Sequence, residues 1–360
     1  MKKIKRILPV ILICFLVANI IGSHVTASAE TLDQSINSMF ITEDNYEAKM
    51  REVVEPYVES VKETGYMDVG EEEFKIYYEK YIMPDSKASI VISHGYTESL
   101  EKYHEIIYYF LKAGYSVYGL EHRGHGRSGH LGKVDSTQVN IDDFEDYVSD
   151  FKQFLDEEVK PNSGEQKLFL FAHSMGGAIG ADFLEEYPEY FNSAILSAPM
   201  LQVNTGSVPE WMANLISTVK IALSSGDDYI MGKSAYSSDY NFEGAATTCE
   251  ERYDYYHNIV NNDEELQRGD GSYKWLKNAL DVTKKITSKE QASKVEIPVL
   301  LFKAGKDDYV KENGLNKFSQ YAKNCKMVFL SEAKHEMYRE EDSILEPYMK
   351  RVVEFYNENL

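Results

Sequence analysis

The chain has 360 residues, a length suited to one large domain with an insertion. Its 59 acidic and 38 basic residues give a net charge of −21 with no long single-sign block, which argues against nucleic acid as a partner and against electrostatic docking on anionic lipid. Three cysteines do not make a disulfide scaffold, and the chain carries neither a Cys/His cluster of zinc spacing nor a Walker-type glycine loop, so no metal and no organic cofactor is expected.

The first 29 residues read as an address label. Lys2, Lys3, Lys5 and Arg6 precede an apolar run from Ile7 to Ile21, and Ala27-Ser28-Ala29 supplies a small-x-small cleavage site. This is the pattern of a secretory signal peptide. Fifteen residues interrupted by Pro9 and Asn19 are short for a membrane span. Ile13 stands before Cys14, where lipidation would want a small residue. Export is therefore expected, to the medium, cell surface or periplasm, with no stable membrane anchor after cleavage. Removing residues 1–29 takes away four cations and no acid, leaving 34 Lys+Arg against 59 Asp+Glu, a net charge of −25.

Asp33 to Thr64 reads as one or two helices, an N-terminal helical extension over 30–72. Phe74–Met83 alternates as a strand. Ala88–Ser93 is a short β-branched strand followed by His94-Gly95-Tyr96, and Leu100–Lys112 has its apolar residues in helical register. Strand Tyr115–Leu120 runs into Glu121-His122-Arg123-Gly124-His125-Gly126-Arg127-Ser128, and Val139–Val159 is a long helix. The run Leu168–Phe171 is a buried strand that ends at Ala172-His173-Ser174-Met175-Gly176-Gly177, with a helix over Ala178–Tyr187. Strand Asn192–Ser197 follows. Residues 201–291 then break the β-α rhythm. They are polar, rich in Tyr and Asn, and hold both tryptophans, Trp211 and Trp275. We read them as an inserted cap. Strand Ile297–Lys303 leads into Ala304-Gly305-Lys306-Asp307-Asp308, strand Met327–Leu330 leads into the loop carrying His335, and helix Ile344–Asn357 closes the chain.

Strands alternating with helices predict an α/β fold: a mostly parallel, doubly wound sheet, with functional residues at the carboxyl ends of strands. The expected division is a signal peptide (1–29), the helical extension (30–72), a first core part (73–200), the cap (201–291) and a second core part (292–360). A serine on a sharp strand-to-helix turn among small residues is the nucleophile elbow of α/β-hydrolases, here with Ala172 where the usual pattern has its first glycine. That fold places its triad in the order Ser, Asp/Glu, His. Ser174 as nucleophile, Asp307 or its neighbour Asp308 as acid, and His335 as base satisfy the order. A serine hydroxyl is a poor nucleophile until a base takes its proton, and an acid must hold that base in the right tautomer.

The motifs Ser93-His94-Gly95-Tyr96, Glu121 to Gly129, Ala172 to Gly177, the Asp307 loop and Lys334-His335-Glu336 together resemble the serine hydrolases grouped as lysophospholipase L2 and monoacylglycerol lipase. The resemblance runs from about residue 73 to the C-terminus, loosely across the cap, and Ala172 leans toward the lysophospholipase L2 side. Family members commonly place a valine three residues after the acid. Val310 therefore selects Asp307. The resemblance also implies an oxyanion hole from the backbone N–H groups of Tyr96 and Met175. Each such donor is worth about 3 kcal/mol of barrier. The side chain of His94 reads as structural, and so does the Arg-Gly-His-Gly run, whose glycines permit a tight turn and whose Arg123 braces neighbouring loops, with phosphate binding by that run as the alternative.

The expected activity is cleavage of carboxylic esters of single-chain acyl lipids, a lysophospholipid or monoacylglycerol, through an acyl-enzyme on Ser174. Alternatives are a short-chain carboxylesterase and an acyltransferase using the same intermediate. An intact Ser-Asp-His set speaks against a binding protein on a dead fold. Trp211 and Trp275 are the expected walls of an acyl channel, or else simply hold the cap together. Cys249 and Cys325 would tether the cap to the core if their Cα atoms came within about 4.4–6.8 Å.

Overall fold

Four of the strands are buried along their whole length and a fifth at all but one position, and this decides the architecture. In the computed structural model, which describes residues 39–70 and 74–360, β3 (Ser89–Ser93), β4 (Ser116–Leu120), β5 (Leu168–His173) and β6 (Ser193–Ser197) are buried at every position, and β7 (Val299–Ala304) at all but one. Strands that read as continuous apolar runs need cover on both faces, which is the environment of a parallel sheet with helices on each side. With β1 (Lys62–Val69), β2 (Phe74–Tyr81) and β8 (Cys325–Leu330) the order is β1-β2-β4-β3-β5-β6-β7-β8. All pairings from β4 to β8 are parallel, while β1 and β2 join antiparallel at one edge. The α/β-hydrolase architecture expected from the sequence is the one observed.

The chain divides between Ile41 and Thr42, and every element described here lies in residues 42–360. The expected signal peptide at 1–29, Cys14 and the start of the expected extension fall outside the described residues. Among those that are described, no helix is long and apolar enough to cross a membrane. The stretch expected to be helical to Thr64 is helical in three consecutive pieces, Tyr46–Lys49, Met50–Val54 and Glu55–Glu59, and then becomes β1. The reading of helix there is corrected for Lys62–Thr64, and Gly65–Val69 adds a strand the sequence did not reveal. Only Met67 and Val69 of β1 are buried. Two apolar residues carry too little periodicity to announce a strand. Pairing with β2, from Lys62↔Tyr81 to Val69↔Phe74, supplies the backbone partners that set it.

The chain leaves β3 toward β4 on one side of the sheet and returns to β5 on the other. The loops after β3 and β5 part in opposite directions and leave a crevice at the strands' carboxyl ends, the switch point of an open parallel sheet. Residues 201–291 lie between β6 and β7 and contain helices Glu210–Ala222, Glu250–Asn262 and Tyr273–Ile286. The last of these is built into the main core through Trp275, Ala279, Val282 and Ile286.

Cys249 is buried and Cys325 partly so, and both are free thiols. Burial pushes each thiol up to about 11, so neither is a ready thiolate. Thiol titration of the denatured, unreduced protein without residues 1–29 should give two thiols per chain. A count of zero would mean that the two are bridged.

Candidate active site

β5 ends at His173, and the helix Ser174–Glu186 begins on the next residue. Ser174 makes the turn with φ +51°, a left-handed conformation that costs a residue with a Cβ about 1–3 kcal/mol. The neighbours must be small because backbone passes at contact distance. A Cβ on Gly176 would lie 2.2 Å from the carbonyl oxygen of Ser93, and one on Gly177 would lie 2.6 Å from the ring of Pro199. Ala172 is different. It is a strand residue without positive φ, so its position requires smallness and no left-handed backbone.

Ser174 Oγ stands 2.8 Å from His335 Nε2, and His335 Nδ1 stands 2.8 Å from Asp307 Oδ2. A carboxylate only accepts, so Nδ1 carries the imidazole proton and Nε2 is left to accept from the serine hydroxyl. The other oxygen of Asp307 accepts from the backbone N–H groups of Tyr309 and Val310 at 2.8 and 3.0 Å. Burial works against the Asp307 charge. The bond from His335 and these two N–H groups outweigh it and hold the carboxyl below its ordinary range. Asp308 is exposed, and its backbone carbonyl accepts from the Asn204 side chain. The ring of Tyr309 lies 4.9 Å from that of His335 and covers one of its faces.

Met175 is the second residue of its helix, where a backbone N–H has no acceptor within the helix. The helix dipole adds partial positive charge there. Tyr96 follows β3 across the crevice. The His94 side chain donates from Nδ1 to the Gly95 carbonyl at 2.8 Å and accepts at Nε2 from the His122 N–H at 2.9 Å. Burial lowers its pKa to about 4, which leaves it neutral and structural. Arg123 forms a two-pronged pair with Asp150 at 2.6 Å on both contacts. Arg268 donates to the carbonyls of Gly124, Gly126 and Gly129. The Arg-Gly-His-Gly run is thus held as a folded loop.

The two tryptophans part company. Trp275 is buried, with its ring 4.3 Å from that of Tyr96. Trp211 is 66 % exposed on the helix Glu210–Ala222. A cavity of about 520 Å³ borders Asp307, lined by Gln202, Asn204, Lys303, Lys311 and Phe329 among others, with neither tryptophan in its walls. The sequence reading missed a buried set of charges behind the crevice: Glu98, Lys102 and Glu336, with Tyr103 and Tyr338. Its one sequence signal is the proximity of Glu98 to His94-Gly95-Tyr96 and of Glu336 to His335.

The fold and the hydrogen-bonded Ser-His-Asp set define an α/β-hydrolase. The family model described as serine aminopeptidase, S33, matches residues 84–342, and the chain belongs to this family. It is 28% identical over 290 residues to a probable lysophospholipase L2 of Haemophilus influenzae, covering 80% of this chain and 90% of that protein. To lysophospholipase L2 of Escherichia coli it is 26% identical over 276 residues, covering 74% and 80%. A monoacylglycerol lipase of Mycolicibacterium smegmatis is 34% identical over a shorter stretch of 129 residues, 36% of this chain and 44% of that one. Among solved structures, a soluble variant of monoglyceride lipase from Saccharomyces cerevisiae superposes with a TM-score of 0.66 at 15% identity, covering 83% of this chain and 96% of that one. These likenesses accord with the resemblance read from the motifs.

Ser174→Ala, His335→Ala and Asp307→Asn should each lower ester turnover by about 10³-fold or more while the protein stays folded, because members of such a set act as a unit. Asp308→Asn should stay near wild type. Steady-state rates beside thermal melts check both. Near-normal turnover in Asp307→Asn with a crippled Asp308→Asn would reverse the choice of acid.

Proposed function

We propose that the protein is an exported serine esterase that cleaves carboxylic esters of single-chain acyl lipids, a monoacylglycerol or a lysophospholipid. The observation that carries this reading is the unbroken relay from Asp307 through His335 to Ser174. Ser174 Oγ attacks the ester carbonyl as His335 Nε2 takes its proton. The negative charge that develops on the carbonyl oxygen falls to the N–H groups of Met175 and Tyr96. His335 returns the proton to the departing alcohol, leaving an acyl-enzyme. A water deprotonated by His335 then releases the fatty acid. Asp307 keeps the imidazole in its Nδ1–H tautomer and steadies it when it is charged. The chain's own residues supply every group these steps use. Export rests on the pattern of residues 1–29.

The substrate class draws support from the relatives' names and from the surface of residues 201–291. On the helix Glu210–Ala222 and the residue after it, Trp211, Leu215, Val219 and Leu223 recur every fourth position and are 66, 53, 47 and 72 % exposed. Ala213 on the opposite side packs against Leu276 and Leu280. The helix thus turns an apolar stripe to solvent on an otherwise acidic chain, as an entrance for amphiphilic esters would require. Ser174 and His335 are buried, and in this reading the acyl chain reaches them under the cap, with Trp275 beside Tyr96 and the exposed Trp211 as candidate contacts along its way. A cap of this kind keeps bulk water from the ester until the chain is seated.

On matched monoacyl esters below their micelle concentrations, kcat/KM should rise with acyl length until the channel is full. About 0.8 kcal/mol per methylene corresponds to about fourfold per carbon. A maximum at acetyl or butyryl would move the protein to short-chain carboxylesterases. An added alcohol that diverts product from fatty acid to new ester would show transfer instead of hydrolysis.

A further inference from the structure

The Glu98 carboxylate is buried and carries no step of the mechanism above. Its Oε2 accepts from the Gly95 N–H at 2.6 Å and from the Tyr103 hydroxyl at 2.6 Å. Its Oε1 accepts from Lys102 Nζ at 2.7 Å and from the Tyr338 hydroxyl at 2.9 Å. Burial opposes the charge, but the Lys102 ammonium and these donors hold the carboxyl well below its usual range. Lys102 Nζ also donates to Glu336 Oε1 at 2.5 Å, and Glu336 Oε2 accepts from Arg339 at 2.6 Å. Two acids and two bases thus close a neutral, buried set that joins the loop after β3 to the residue next to His335.

The geometry at Gly95 gives this set a purpose. In a trans peptide the N–H of one residue points opposite to the C=O of the residue before it. The direction of the Tyr96 N–H is therefore set by the Gly95 carbonyl, which the His94 ring holds. The preceding peptide unit is held at its Gly95 N–H by Glu98. To reach back three residues, the chain passes through Thr97 at φ +58°, a strained conformation that persists only where its surroundings fix it. A Cβ on Gly95 would lie 2.7 Å from Glu98 Oε2, so only glycine admits the carboxylate at this distance.

We propose that Glu98 is a positioning residue of the oxyanion hole. By clamping the Gly95 amide it fixes the aim of the Tyr96 N–H, and through Lys102 and Glu336 it holds that loop in register with the loop of His335. The inference rests on the reading of Tyr96 as an oxyanion donor. A misaimed donor is felt where charge develops and hardly at all in substrate binding.

The test compares wild type with Glu98→Gln and with Tyr103→Phe, which keeps the buried charge, removes one donor to Oε2 and removes the second acceptor of the Gly95 N–H, the Tyr103 hydroxyl at 3.3 Å. Each is measured for kcat and KM on p-nitrophenyl butyrate, for inhibition by an alkyl trifluoromethyl ketone, whose serine adduct carries an oxyanion, and for its melting temperature. Glu98→Gln should lose about 10- to 100-fold in kcat with KM within about twofold. Its inhibition constant for the ketone should rise by the same factor. Tyr103→Phe should show the same pattern at about 3- to 10-fold, and it decides the matter alone if Glu98→Gln does not fold. A fall in kcat with no loss of ketone affinity would assign Glu98 to folding and overturn the proposal, as would two variants within twofold of wild type. Those results would leave the esterase reading intact. A wild-type protein inert toward every ester would remove both.

Discussion

The left-handed backbone at Ser174 is the constraint on which the rest of the crevice depends. A serine at φ +51° does not hold itself there. It is pinned by the Met200 N–H, which donates to its carbonyl at 2.7 Å, and by glycines that let the helix sit against Ser93, His94 and Pro199. Four fully buried parallel strands stand under the turn. Their apolar burial exceeds the local strain many times over. The result is a hydroxyl lifted off the sheet edge, within reach of an imidazole carried by the loop after a strand three places away.

Charge is handled in the same spirit. The chain is strongly acidic, yet its buried acids near the crevice are paired and hydrogen-bonded. Arg252, fully buried on the helix Glu250–Asn262, meets Glu105 at 2.8 Å and Asp342 at 3.0 Å. Arg268 spends its donors on loop carbonyls and, among the described residues, faces no carboxylate within ion-pair range, and burial lowers it to about 10. Buried pairs of this kind add little net stability, but removing one partner leaves a bare charge in low dielectric. They make the attachment of residues 201–291 to the core specific, while the apolar stripe on Glu210–Ala222 stays outside it. The segment is thus anchored by charge on one part and exposes apolar side chains on another.

Much of this was legible in one dimension. The buried strands announced themselves as apolar runs, since a strand covered on both faces has no polar alternation to hide it. The order of Ser174, Asp307 and His335 follows from which strand ends face the crevice. The choice of Asp307 over Asp308 has a local cause as well. A loop that brings the N–H groups of Tyr309 and Val310 onto one carboxylate oxygen needs that carboxylate two and three residues upstream, which is the spacing to Val310. β1 was illegible because its conformation comes from its partner strand more than from its own residues.

The sequence by itself determined the fold class and singled out Ser174, Asp307 and His335, the three residues that the fold brings within hydrogen-bond reach of one another. Each is encoded in a short segment: a periodicity, a turn that tolerates only small residues, or a residue at a strand's end. Only the tertiary structure decided which tryptophan stands beside Tyr96, that Cys249 and Cys325 are free, and that Glu98, Lys102 and Glu336 meet. Lys102 and Glu336 are 234 residues apart, and Glu98 and Tyr338 are 240 apart. A contact across such a separation exists because the sheet brings the ends of β3 and β8 to the same side, and no local pattern in the chain records that.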